Sequence, residues 1–269
     1  MPVRLRPAVP NRHPATPPCR RLTGPLALAL PALLVVSCAA DRSAAPPTPA
    51  APLPGAGGAD TARDELAARA AAAQDRHLVA SYTLRAPGAP DRTVLVTTAA
   101  DGGWRVDVPG GVSGGEVDVS LAATGDGLFQ CVLPSAGRPE PAGCVRLGDP
   151  DEPVPHRLDP WVQHPFTDWL DVLTDRRSPL SVSSAQPPAG AAGSCYSVET
   201  TSASVNAPLD VGIYCYDADG TPTAVHTAAG ALTLAGAPAP GPVSVQLPGP
   251  TVEGGPAGTA APGASNGTL

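Results

Sequence analysis

Between residues 77 and 234 apolar and polar side chains alternate with a period of two, interrupted at intervals by Gly, Asp and Pro. That period puts successive side chains on opposite faces of a strand, so each run reads as a strand with one apolar face. The run 77–84 groups Leu78, Ala80, Tyr82 and Leu84; 92–98 is rich in β-branched residues. Trp104, Val106 and Val108 alternate with Arg105 and Asp107, and Val117, Val119 and Leu121 repeat the pattern. Asp101-Gly102-Gly103, Gly125-Asp126-Gly127 and Asp217-Ala218-Asp219-Gly220 have the composition of hairpin turns. Further strands are predicted over 128–133, 180–184, 195–200, 212–216 and about 223–234.

Two stretches follow a helical period instead. In 60–76, Thr61-x-x-Asp64 has the form of a capping box, and Leu66, Ala70 and Ala73 share a face. In 159–176, Phe166, Trp169, Leu170 and Leu173 recur at helical spacing opposite Thr167, Asp168, Asp171 and Asp175, with Pro165 restarting the helix. The order helix, strands, helix, strands predicts an α+β fold: a curved antiparallel half-barrel sheet covered by two helices.

The two ends lack this patterning. Residues 22–37 form a Pro-interrupted apolar stretch behind an Arg-rich start, too short and broken for a comfortable membrane span. It ends in Val35-Val36-Ser37-Cys38-Ala39, which resembles a bacterial lipobox; residues 1–37 are then a lipoprotein signal peptide and Cys38 the diacylated first residue of the mature chain. Cys19 falls in the discarded leader. Residues 38–59 read as the lipidated cysteine and a Pro/Ala-rich tether, which would span roughly 60 Å if polyproline-like. Residues 60–236 are the folded domain, and 237–269 a Pro/Gly-rich tail, largely disordered, in which only Val243, Val245 and Leu247 alternate.

Composition narrows the partners. The chain holds 36 Pro and 29 Gly, and all 17 basic residues are Arg. Removing Arg4, Arg6, Arg12, Arg20 and Arg21 with the leader leaves 12 Arg against 24 acidic residues, a surface that repels nucleic acid. Of the mature cysteines after Cys38, Cys131, Cys144, Cys195 and Cys215 form an even set, as expected of disulfides in an exported protein; they allow three connectivities. Sequence-local pairing, Cys131–Cys144 and Cys195–Cys215, is the expectation, each bridge contributing about 3 kcal/mol through the unfolded state.

Catalytic and metal signals are weak. Gly111-Val112-Ser113-Gly114-Gly115 matches the nucleophile elbow of hydrolases, yet an alternating strand follows Ser113 where the elbow needs a helix. Asp217 and Asp219 have the spacing of a calcium loop without its closing Glu. His156, His164 and Asp168 supply metal-ligand residue types but read as a solvated helix start; His77 and His226 stand alone in strand-like runs. The expectation is no enzyme, no metal and no cofactor. What remains is an apolar concave face with few aromatics to fill it: Leu78, Tyr82, Leu84, Trp104, Val106, Val108, Val117, Val119 and Leu121 as a cavity wall, covered by Leu66, Phe166, Trp169, Leu170 and Leu173.

The acylated cysteine, the tether, the N-terminal helix, the Trp104–Val108 strand and the segment 166–176 running into 180–184 together resemble the LolA-like lipoprotein-carrier superfamily. The likeness is greatest to actinobacterial lipoproteins of that group, including carriers of acylated glycolipids. The resemblance covers about residues 60–236 and implies a half-barrel, a helical lid and an acyl-chain cavity between them. It also implies anchoring to the outer face of the cytoplasmic membrane of a Gram-positive, actinobacterial-type envelope, with a lipid or glycolipid as ligand. The alternative expectation is an accessory envelope lipoprotein that presents a surface to a protein partner and holds no ligand.

Overall fold

The computed structural model describes residues 56–201 and 207–258. Cys38, the leader and the tether through residue 55 lie outside the described residues. The first element, α1 (Ala56–Gln74), starts earlier than the capping pattern at Thr61 predicts, running through Gly57 and Gly58 although glycine is a poor helix former. Ala62, Leu66, Ala70 and Ala73 form its buried stripe. The Arg63 guanidinium donates to the carbonyls of Asp175, Ser178 and Leu180, fastening α1 to the loop ahead of the second half of the sheet.

The strands are β1 (Leu78–Arg85), β2 (Arg92–Thr98), β3 (Trp104–Val112), β4 (Val117–Thr124), β5 (Gly127–Val132), β6 (Gly143–Gly148), β7 (Leu180–Ala185), β8 (Ser194–Thr200), β9 (Gly212–Tyr216), β10 (Pro222–Thr227), β11 (Gly230–Leu234) and the short β12 (Ala239–Pro240). They form one open sheet in the order β6-β5-β4-β3-β2-β1-β11-β10-β9-β8-β7, with β12 pairing to β1. Every named pair is antiparallel, as hairpin connections require. β1 sits at the centre against β11, so the chain builds one wing, crosses the concave face through residues 149–179, builds the other wing and returns. The single predicted run 223–234 is two strands, with the reversal at Ala228–Ala229.

The predicted helix over 159–176 is also corrected. Prolines at 155, 160 and 165 break the segment into 3-10 turns at His156–Leu158 and His164–Phe166, and only α2 (Asp168–Thr174) is α-helical. Phe166, Trp169, Leu170 and Leu173 still point into the core.

The expectation of a largely disordered tail from residue 237 is overturned as far as residue 258. Gly241 donates to the carbonyl of His77, and Ala100 and Asp101 donate to those of Pro242 and Val243. Val245 then packs on Ala99 and Ala122 of the convex face, and Leu247 reaches the cluster of Phe129, Cys131 and Cys144. Around the β6 edge, Cys144 N donates to the Pro250 carbonyl at 2.9 Å and Val252 N to that of Cys144 at 2.8 Å. Pairing with the tail therefore satisfies an edge that would otherwise expose unpaired backbone groups, and Ala257 ends against the main core on the concave side. Disulfides join Cys131 to Cys144 across β5–β6 and Cys195 to Cys215 across β8–β9, each at directly opposed positions. Among the described residues no helix is long and apolar enough to cross a membrane.

Candidate functional site

The concave face under α1 and the crossing segment is not a continuous cavity. Tyr82, Tyr196, Tyr214 and Tyr216 are all buried there to 1% exposure or less, and Tyr82 packs 4.8 Å from the Phe166 ring. Aromatics are few in the sequence, but all four tyrosines converge on this one face and fill it. Of the predicted wall, Leu78, Tyr82, Val106 and Val119 belong to this packed interior, as does Leu66 from α1; Leu121 is buried but outside the central cluster, and Val117 is only partly buried.

Open space survives at the two ends of the strands. At the end where β1 begins, a cavity of about 440 Å³ takes in Trp104, Phe166 and Leu170 with a polar rim of Arg76, His77, Glu152, Gln163, His164 and Asp168. At the other end, a cavity of about 170 Å³ is lined by Leu84, Val108, Pro165, Trp169, Val225 and Leu232, with Arg92 and Trp161 at its border. A third, of about 430 Å³, lies between β5–β6 and the tail, beside Gln130 and Val252. The predicted wall is thus split: Leu84, Val108 and Trp169 serve the apolar end, Trp104, Phe166 and Leu170 the polar end.

Between the two end cavities sits a polar group in which Asp168 is exposed at the start of α2, as a solvated helix start requires, and His156 is exposed too, whereas the His164 and Asp159 side chains are largely buried. His164 Nδ1 meets Asp168 Oδ1 at 2.6 Å and its Nε2 meets Asp159 Oδ2 at 2.8 Å. The ring stacks on Trp169 at 5.2 Å and 13°, with Trp161 on another side at 5.2 Å. Asp159 also accepts from the Trp161 backbone N–H at 2.8 Å and from Gln163 Nε2 at 2.7 Å, so the buried carboxylate is well satisfied. Burial opposes charge on His164, but the hydrogen bonds and charges of Asp159 and Asp168 outweigh it and raise its pKa to about 9. The same contacts hold the Asp159 carboxyl below the usual range despite burial. An imidazolium donating from both nitrogens has no lone pair for a cation, and His156 turns its ring to Trp161 instead of joining the pair. Among the described residues no group of three His, Cys, Asp or Glu is arranged to hold a metal ion.

The remaining motifs resolve locally. Ser113 is exposed in a 3-10 turn between β3 and β4, a strand–turn–strand setting without the helix an elbow needs. Asp217 accepts the backbone N–H groups of Asp219 and Thr221, and Asp219 pairs with Arg76 at 3.0 Å, as in a self-bonded hairpin turn. His77 precedes β1 at the rim of the polar cavity. His226 lies on β10, where burial lowers its pKa. No protein-family model matches the chain, and no curated protein matches it in sequence.

Proposed function

We propose that the protein is an extracytoplasmic lipoprotein, anchored through Cys38 to the outer face of the cytoplasmic membrane, that holds an apolar acyl chain without converting it. The observation that carries this reading is the apolar end cavity of the half-barrel, walled by Leu84, Val108, Trp169, Val225 and Leu232 beside the 37% exposed Trp161. Its volume of about 170 Å³ equals that of roughly five or six water molecules at about 30 Å³ each, the scale of a run of about as many methylene groups. At about 0.8 kcal/mol per methylene the gross driving force is about 4–5 kcal/mol before association costs. A short chain, or the end of a longer one, fits this arrangement; a thicker lipid requires displacement of the crossing segment. The LolA-like resemblance supports the same reading, with lipid or glycolipid as the ligand class.

Native mass spectrometry and organic extraction of the chain purified from its own host test it. Co-purified lipid is expected from the parent and is expected to be lost with Leu84→Trp, which fills the cavity. The filled interior favours the second reading, an accessory lipoprotein that presents a surface to a protein partner. Absence of lipid from both chains, with Leu84→Trp raising stability by filling an empty cavity, selects that reading instead.

A further inference from the structure

We infer that the apolar end cavity takes a single-chain amphiphile with an anionic headgroup, a carboxylate or a phosphate monoester, whose charge is held by Arg92; the inference rests on the reading of that cavity as an acyl-chain site.

Arg92, Val94 and Val96 occupy one face of β2, and both valines are fully buried on the concave side. An arginine thus stands where the alternation calls for a third apolar residue, directly opposite Leu84 and at the border of the cavity. Its Nη1 donates to the carbonyls of Pro109 at 3.3 Å and Gly110 at 3.0 Å. Among the described residues, Nε and Nη2 have no hydrogen-bond partner, and no carboxylate lies within 4.0 Å of the guanidinium. The nearby carboxylate of Asp118 is committed to the Gly110 backbone N–H at 2.7 Å.

The glycine-rich loop is shaped around this cation. A Cβ at Gly110 would stand 2.6 Å from Arg92 Nη1, and one at Gly115 2.7 Å from Nη2; both glycines have positive φ, +60° and +100°. The loop that resembles a nucleophile elbow in sequence is therefore a seat that packs against both Nη atoms but hydrogen-bonds Nη1 alone. A half-buried cation with two uncommitted donor nitrogens beside a hydrocarbon wall is complementary to an anion attached to an alkyl chain. It offers nothing specific to a neutral headgroup and repels a cationic one.

The full chain is titrated with octanoate, octyl phosphate, octanol and octyltrimethylammonium, read by tryptophan fluorescence and calorimetry. Octanoate and octyl phosphate are expected to bind about tenfold or more tighter than octanol, the scale of a charge-assisted hydrogen bond. Arg92→Met should remove that preference, so that octanoate and octyl phosphate bind no tighter than octanol does to the same variant, and Arg92→Lys should restore part of it. Equal binding of octanoate and octanol by the parent chain overturns the headgroup assignment while leaving the acyl-chain reading intact. That comparison needs no variant, so it stands even where Arg92→Met fails to fold. Inorganic phosphate binding as tightly as octyl phosphate also overturns it, in favour of a bare anion site. Failure of all four probes removes the acyl-chain reading itself.

Discussion

His164 gives the sharpest quantitative test, because it is the buried group whose charge the structure most clearly enforces. Its pKa of about 9 in the folded protein stands above the 6.5 of a free side chain. A group with a raised folded pKa contributes stability that is complete below the unfolded value and is lost as the pH rises through the folded one. The gap is worth at most about 3 kcal/mol at 1.36 kcal/mol per pH unit. Asp168 is 62% exposed, so solvent screens part of its share, leaving on the order of 2 kcal/mol. Asp159 acts in the opposite sense: with its folded pKa depressed, its contribution is present above the unfolded value of 3.8 and lost as the pH falls through the folded one. Urea unfolding of the parent chain and of His164→Gln, measured from pH 5 to pH 10, should show a difference of about 2 kcal/mol below pH 6.5 that fades towards pH 10. The stacked indole of Trp169 supplies an independent readout, since loss of the imidazolium charge should raise tryptophan emission with a midpoint near pH 9. Parallel pH profiles for the two chains, or an emission midpoint near 6.5, would refute the charged clamp.

Two further predictions concern the convex face. Reducing the Cys195–Cys215 bridge by paired Cys→Ser substitution is expected to cost about 3 kcal/mol of unfolding free energy, measured in denaturant, with the fold retained. Val245→Asp places a charge on the Ala99 and Ala122 surface and should cost about 2 kcal/mol, with faster hydrogen exchange at the Cys144 amide as the tail lifts from the β6 edge; unchanged exchange would show that the tail does not seal that edge.

The strands of the central wing were legible because a half-buried strand writes its two faces directly into a period of two, and β2 and β9 have the predicted bounds. β6 escaped notice because Gly-Cys-Val-Arg-Leu-Gly is short and is bounded by glycines that look like loop. The helix over 159–176 was overextended because its apolar spacing survives in three dimensions although prolines divide the backbone into turns. Those same turns bring Asp159 and Asp168 to opposite nitrogens of His164, a juxtaposition that helical spacing does not suggest. The filling of the face under α1 was illegible for a different reason. Composition counts aromatics but does not say that Tyr82, Tyr196, Tyr214 and Tyr216, drawn from three strands, share one face. The docked tail depends on an open sheet edge, and an edge exists only once the strand order is known.

The crossing segment shows why a polar fastening suits an open sheet better than more packing. Apolar burial is non-directional, so hydrophobic contacts alone would let residues 156–174 settle in several registers over the concave face. Asp159 removes that freedom, since its carboxylate accepts from the Trp161 N–H, the Gln163 amide and the His164 ring at once, and only one placement satisfies all three. The same contacts hold Trp161 at a φ of +64°, a conformation that costs a bulky residue on the order of 1–3 kcal/mol. Clamp and strain are therefore of similar size and opposite sign. Neutralising His164 weakens the restraint while the strain at Trp161 persists, and Trp161 borders the apolar cavity, so the wall of that cavity is set by an electrostatic balance and not by close packing alone.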